Sequence, residues 1–364
     1  MGSHLISALK GLLIFAAVLC CIESIFAYGK LPDDVEDALP PEAREVVEDL
    51  EEPSSFREGL ERLWDKIIAY LPGIGRSGLK NIVSILCVVA ICTVCESVEV
   101  GENRQLQRCV SAAGVVAITL LSIREMTSIM SLGQQLTEEL DVFSKALLPS
   151  LAAAVAAGGG VLSAGVRQTA TVFFANLLIS LVREILLPLT YYYIAAAAMG
   201  ALLPEQNLKS LAVGMKKVIS WLLTGALLLF VGYLSVSGAA ASSADALSLQ
   251  LTKSAISTAL PVVGGIISDA AGSVLYSAGL LKNTIGVVGM LAVLASCLVP
   301  FLTMAVQYLL YKAAGFLASL FGSTQVCGYI AELGSAFGLV LGMTGSCALL
   351  LLISIASCVS VVIT

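Results

Sequence analysis

The sequence predicts an all-α fold, a polytopic transmembrane helical bundle. Two bulk observations predict it. The 364 residues are 58% hydrophobic and 13% charged, against about 25% charged for an ordinary soluble domain, and the mean hydropathy is +0.94. A third observation fixes the type of span. Continuous apolar runs such as Ile82 to Val94 and Leu349 to Ile355 replace the period-2 alternation of an outer-membrane barrel, and hydrocarbon leaves a helix as the alternative that satisfies its own backbone.

The order of segments follows from composition. Residues 1–27 read as a signal peptide: Lys10, the apolar run Gly11 to Ile22, then Ile25 and Ala27 at the -3 and -1 positions of a cleavage site. An uncleaved anchor is the alternative. Residues 28–78 form an acidic extracytoplasmic segment holding 13 acidic and 6 basic residues, half of the chain's carboxylates. Pro32, Pro40, Pro41, Pro53 and Pro72 divide it into short pieces. It is a solvated lead-in or a surface for docking a partner.

Residues 79–364 form the transmembrane domain, with 25 charges in 286 residues. The apolar runs place spans at Asn81 to Val98, Cys109 to Ile123, Leu147 to Gly165, Thr169 to Leu187, Leu189 to Leu203, Val218 to Val236, Thr284 to Tyr311 and Ala336 to Ile363. Ala313 to Ala331 is a further span or a re-entrant piece, giving seven to nine crossings. An exported amino terminus puts Arg104, Arg108, Arg167, Lys209, Lys216 and Lys217 on the cytoplasmic side, in keeping with the positive-inside rule.

Two prolines fall within long apolar runs. Pro188 and Pro300 remove one N–H each and push on the carbonyls of Glu184 and Ser296, so both runs are expected to kink or break there. Pro149 and Pro188 are 39 residues apart, as are Pro261 and Pro300. That shared spacing suggests a diverged repeat of 149–236 and 261–350, with chance spacing as the alternative, and paired interrupted helices are a feature of transporter folds. Arg183 and Glu184 are the costliest residues of this region in hydrocarbon, so they must be paired, hydrated or near an interface.

Between Ser237 and Asn283 the pattern changes again. Small residues crowd Gly238 to Ser243, and Asp245 and Lys253 are eight residues apart, about 12 Å along a helix, too far for a direct ion pair. Two amphipathic or re-entrant helices joined by Pro261 to Gly265 fit this stretch, the second carrying Asp269. In the Gly238 to Asp245 run, Lys253, Pro261-Val-Val-Gly-Gly-Ile-Ile-Ser-Asp269 and Lys282-Asn283, the chain resembles the stage III sporulation protein AE family of endospore-forming bacteria. The resemblance implies a permease-like, multi-pass subunit in the mother-cell membrane surrounding the forespore. It also implies a channel assembly with other membrane proteins of the stage III sporulation operon, a forespore-made channel partner and an Oxa-type sporulation insertase, needed for late forespore gene expression. It carries no catalytic residues and no cofactor. A homo-oligomer is left open.

Chemical motifs are sparse. His4 is the only histidine and lies in the segment expected to be removed, which excludes histidine-based triads and ligands from the mature chain. Gly73-Ile-Gly75-Arg-Ser-Gly78 matches a dinucleotide fingerprint but follows no strand, and Ser77 with Lys80 has S-x-x-K spacing without its companion motifs. Cys92 and Cys95 read as buried small side chains. The net charge of -6 argues against nucleic acid; the lipid bilayer is the expected surrounding. Arg183, Glu184, Pro188, Asp245, Lys253, Pro261, Asp269 and Pro300 are thus candidate pathway or packing residues. The expected role is a non-catalytic complex subunit, and the rival is a stand-alone secondary transporter of a small solute.

Overall fold

A computed structural model describes residues 73, 75, 78–96, 104–157, 173–203, 208–233, 264–320 and 324–360. All the secondary structure in these residues is helical, and six helices are long and apolar enough to cross a membrane. They are α1 (Gly78–Glu96), α2 (Arg104–Ala157), α3 (Phe173–Leu202), α4 (Leu208–Tyr233), α5 (Gly264–Ala318) and α6 (Thr324–Ser360).

Tertiary contacts set their directions. Tyr308 packs at Gly338 and Phe301 at Gly345, so α5 and α6 run antiparallel. Thr119 meets Tyr329, and Val340 meets Gly133, so α2 runs with α6. Gln325 reaches the Ala201 carbonyl at 3.1 Å while Tyr193 meets Glu332, which makes α3 antiparallel to α6. Lys216 pairs with Glu332 and Leu223 lies by Gly342, so α4 runs with α6. At the other end of the order, α1 descends beside α2: Ser111 donates to Glu96 at 2.7 Å and Cys92 sits against Gly114. Consecutive helices therefore alternate in direction, as successive crossings must.

The core lies along α5 and α6. In α6 61% of the apolar window is buried inside the protein, against 11% in α4. Helix α4 instead exposes Trp221, Leu228 and Leu229, a surface that water would not tolerate and lipid does. Small residues let the central pair approach closely, since a Cβ on Gly334 would stand 3.4 Å from the Tyr311 side chain and 3.5 Å from the Lys312 backbone.

Several expected boundaries are corrected. The spans expected at Cys109 to Ile123 and Leu147 to Gly165 belong, as far as Ala157, to one 54-residue helix, about 81 Å long. Polar side chains between them are accommodated along the helix, Lys145 pairing with Asp141 at 2.6 Å and Gln135 donating to Glu139 at 3.1 Å. With about 30 Å of hydrocarbon available, a large part of α2 must extend outside it. The runs Thr169 to Leu187 and Leu189 to Leu203 likewise merge into α3. Pro188 does not break that helix, because Val182–Leu186 widens to a π turn in which the Leu187 N–H reaches the Val182 carbonyl. The Glu184 carbonyl, predicted to lose its partner, lies inside this turn.

Pro300 sits inside α5, which runs unbroken from Gly264 to Ala318. Next to it Phe301 packs at Gly345, and one turn on Met304 meets Thr344, both on α6, and such packing holds the helix through the lost bond. The same helix absorbs the stretch after Gly264 that was expected to be a separate amphipathic or re-entrant helix. Ala313 to Ala331 is neither a span nor re-entrant: it is the end of α5, a turn and the start of α6. Among the described residues six helices are long and apolar enough to cross, against the seven to nine crossings expected for the whole chain. The α2–α3 connection, in which Arg167 lies in sequence, joins helix ends opposite to those flanking Lys209.

Candidate functional site

Polar groups from all six helices converge at one depth of the bundle. The centre of this layer is Glu332, eight residues or about 12 Å into α6. The Tyr193 hydroxyl of α3 donates to the Glu332 carboxylate, with the Glu332 backbone carbonyl 3.2 Å away. Lys216 of α4, also eight residues into its helix, stands 3.5 Å from the same carboxylate, each side chain being one-third exposed. One turn of α6 places Glu332 beside Ser335, which accepts from Lys312 of α5 at 3.3 Å. Lys312 also lies 5.8 Å from the Tyr308 ring centroid and within electrostatic reach of Lys216 and Glu332. Two cations and one carboxylate, joined by a tyrosine and a serine, thus tie α3, α4, α5 and α6 together.

The layer continues on the other side of α6. Tyr329, one turn before Glu332, shares a 2.8 Å hydrogen bond with Thr119 of α2. Asn81 of α1 donates to the Tyr311 hydroxyl of α5 at 3.2 Å. Tyr193, Tyr311 and Tyr329 are among the largest fully buried side chains, so their hydroxyls need partners at this depth. The aromatic bodies fill space between helices while the hydroxyls bridge them.

A second charged group lies toward the opposite end. Arg183 stands 3.9 Å from Glu138 of α2 and 3.7 Å from Glu184, all with side chains about half to three-quarters exposed. Of the alternatives expected for these two residues, paired, hydrated or near an interface, the structure shows the ion-pair distances. The π turn carries both, and Pro188 follows it directly. Pro300 is within the packed part of α5. Asp269 lies in the first two turns of α5, while Asp245, Lys253 and Pro261 fall outside the described residues. The structure therefore brings together Arg183, Glu184 and Pro188, and places Pro300 apart from them on another helix.

The chemical-looking motifs have structural surroundings. Gly73 and Gly75 are helical, with open space where a Cβ would be, and Gly78 begins α1. Cys92 is buried and Cys95 exposed, both free thiols. No group of three or more His, Cys, Asp or Glu side chains with metal-binding placement occurs among the described residues.

The polar layer was missed in the sequence because its partners are distant: Tyr193 and Glu332 are 139 residues apart, Lys216 and Glu332 116. One signal was present, since Glu332 is the sole charged residue after Lys312.

Alternating helices, lipid-compatible outer faces and a polar layer inside define a multi-pass helical membrane protein. The sequence pattern of stage III sporulation protein AE matches residues 42–362. The chain belongs to that family. It is 24% identical over 211 residues to stage III sporulation protein AE of Bacillus subtilis (strain 168), an alignment covering 58% of this chain and 53% of the relative. The match thus spans about half the length of that relative. No solved structure matches the chain.

Proposed function

We propose that this chain is a membrane subunit of the channel or transport complex joining mother cell and forespore, and that it is required for late forespore gene expression. Family membership over residues 42–362 is the observation that carries the reading. The protein is permease-like and non-catalytic: it works by helix packing and by docking partners. Those partners are other membrane proteins of the stage III sporulation operon, a forespore-made channel protein and an Oxa-type insertase, in the mother-cell membrane around the forespore. The acidic segment 28–78, on the far side from the cytoplasm after export, is the natural docking surface toward a forespore-side partner. The lipid-facing side of α4 leaves room for neighbouring membrane subunits. A clean deletion in the host is expected to arrest development after engulfment and silence late forespore transcription. Normal spores from that strain would overturn the proposal.

A stand-alone transporter is the second reading, favoured by the π turn beside Arg183 and Glu184. It requires solute uptake by the purified protein in liposomes, altered by Arg183→Gln or Glu184→Gln. Absence of uptake under an ion gradient removes it.

A further inference from the structure

On the side of the polar layer nearest α1, three buried side-chain oxygens lack hydrogen-bond partners among the described residues. The Oε2 oxygen of Glu125 and the Oε1 oxygen of Gln307 are buried with no hydrogen-bond partner among the described residues. Gln307 is 8% exposed. The Ser122 hydroxyl oxygen is buried as well and stands beside the Tyr311 hydroxyl, which also feels the Glu125 charge.

Helix geometry collects these atoms. Ser122 and Glu125 are three residues apart on one face of α2, and Gln307 and Tyr311 four apart on one face of α5. A helical tyrosine leans back over the preceding turn, which carries the Tyr311 hydroxyl toward Gln307. Helix α1 closes the group. Gly78 admits the Gln307 amide, whose atoms would be 3.3 and 3.4 Å from a Cβ at that position. Asn81, one turn later, uses its amide nitrogen on Tyr311 and keeps its amide oxygen as an acceptor.

Two of the atoms that lack partners, on Glu125 and Gln307, are acceptor-only oxygens, and the Ser122 hydroxyl can turn its proton away, so a cation satisfies all three at once. A buried unsatisfied acceptor marks an ordered water or an ion, and an ionisable group within a membrane bundle marks function more often than packing. A single proton joins two oxygens, whereas a metal cation can gather side-chain oxygens offered from three helices. Carboxylate, amide and hydroxyl oxygens are hard ligands, suited to alkali and alkaline-earth ions rather than soft ones. One carboxylate balances one charge, and a divalent ion would leave a second charge uncompensated in the interior. The nearby cations do not take this role: Lys80 and Arg124 are exposed, and Lys312 is directed to Ser335. On α6, Glu332 is engaged by Tyr193 and Lys216.

We propose that Glu125, Gln307, Ser122, Tyr311 and Asn81 form a binding site for a sodium-sized monovalent cation between α1, α2 and α5. The site is separate from the docking role above and stands or falls independently of it.

The test uses the full chain in lipid nanodiscs at fixed pH, with radioactive sodium binding and thermal unfolding measured in sodium chloride or choline chloride at equal ionic strength. Sodium is expected to bind saturably and to raise Tm, as any ligand of the native state does; choline is expected to do neither. Glu125→Gln and Gln307→Leu should each weaken sodium binding by on the order of tenfold or more, the loss of one strong contact. Ser122→Ala, which removes a single small oxygen, should fold and weaken binding less, and it carries the test where the larger changes prevent folding. Equal stabilisation by choline, unchanged sodium binding in a folded Glu125→Gln or Ser122→Ala protein, or a response to pH without sodium binding would each overturn the proposal.

Discussion

Glu332 shows how a single residue can organise distant helices. It lies in an otherwise uncharged stretch that continues to Thr364, where an isolated charge would be expensive. Its cost is met by Tyr193 and Lys216 from two other helices. The two bonds are unequal. The tyrosine bond is charge-assisted and tied to a fully buried ring, while the lysine is 3.5 Å away and one-third exposed, so solvent screens it. Tyr193→Phe is therefore expected to lower stability by about 1 kcal/mol, within the range for interhelical bonds in membranes, and Lys216→Met by less. Denaturant unfolding in micelles checks the order of the two; a larger loss in Lys216→Met contradicts it. Sequence alone located Arg183 and Glu184, whose cost is evident from their apolar neighbours. It could not rank Glu332, because the groups that stabilise it come from α3 and α4.

At the scale of the element, two prolines in similar apolar runs have different consequences. Around Pro188 the helix takes in an extra residue through a π turn, and around Pro300 it continues as α. Proline chemistry identified where hydrogen bonds are lost but not how the loss is accommodated, which packing decides. Leu186, Leu187 and Tyr193 are fully buried and fix the rotational setting of α3 beyond the turn. Glu184, exposed inside the turn, is the residue whose deletion converts π to α without rotating the rest of the helix. The Glu184 deletion should therefore yield a monodisperse protein, whereas deleting Ala195 turns the end of α3 by about 100° and should abolish folding. Size-exclusion chromatography distinguishes them, and equal behaviour of the two deletions would remove this account. The α5–α6 seam obeys a different constraint. Gly334 has ordinary contact distances for a Cβ at 3.4–3.5 Å, so Gly334→Ala should be nearly neutral. Gly334→Leu has no such space and should cost about 1–3 kcal/mol by overpacking, read from the same unfolding measurement.

At the scale of the whole molecule, the sequence established the medium and the helical class, because both depend on composition summed over hundreds of residues. It divided the helices wrongly, since charges and prolines look like boundaries until neighbours that tolerate them are known. Crossing by all six candidate helices of the described residues would also change the expected orientation at one place. Arg104, Arg108, Lys209, Lys216, Lys217 and Lys312 all lie toward the end where α3 meets α4 and α5 meets α6. Toward the other end, Glu138, Glu139, Asp141 and Glu184 outnumber Lys145 and Arg183. The basic end belongs in the cytoplasm by the positive-inside rule, and the α2–α3 connection with Arg167 then belongs outside. Topology reporters fused after residues 103, 206 and 321 should all report the cytoplasm, and fusions after 160 and 240 the opposite side. A cytoplasmic signal at 160 would mean that α2 returns before Ala157 ends it, and with that the alternation that places Tyr193, Lys216 and Glu332 at one depth would fail.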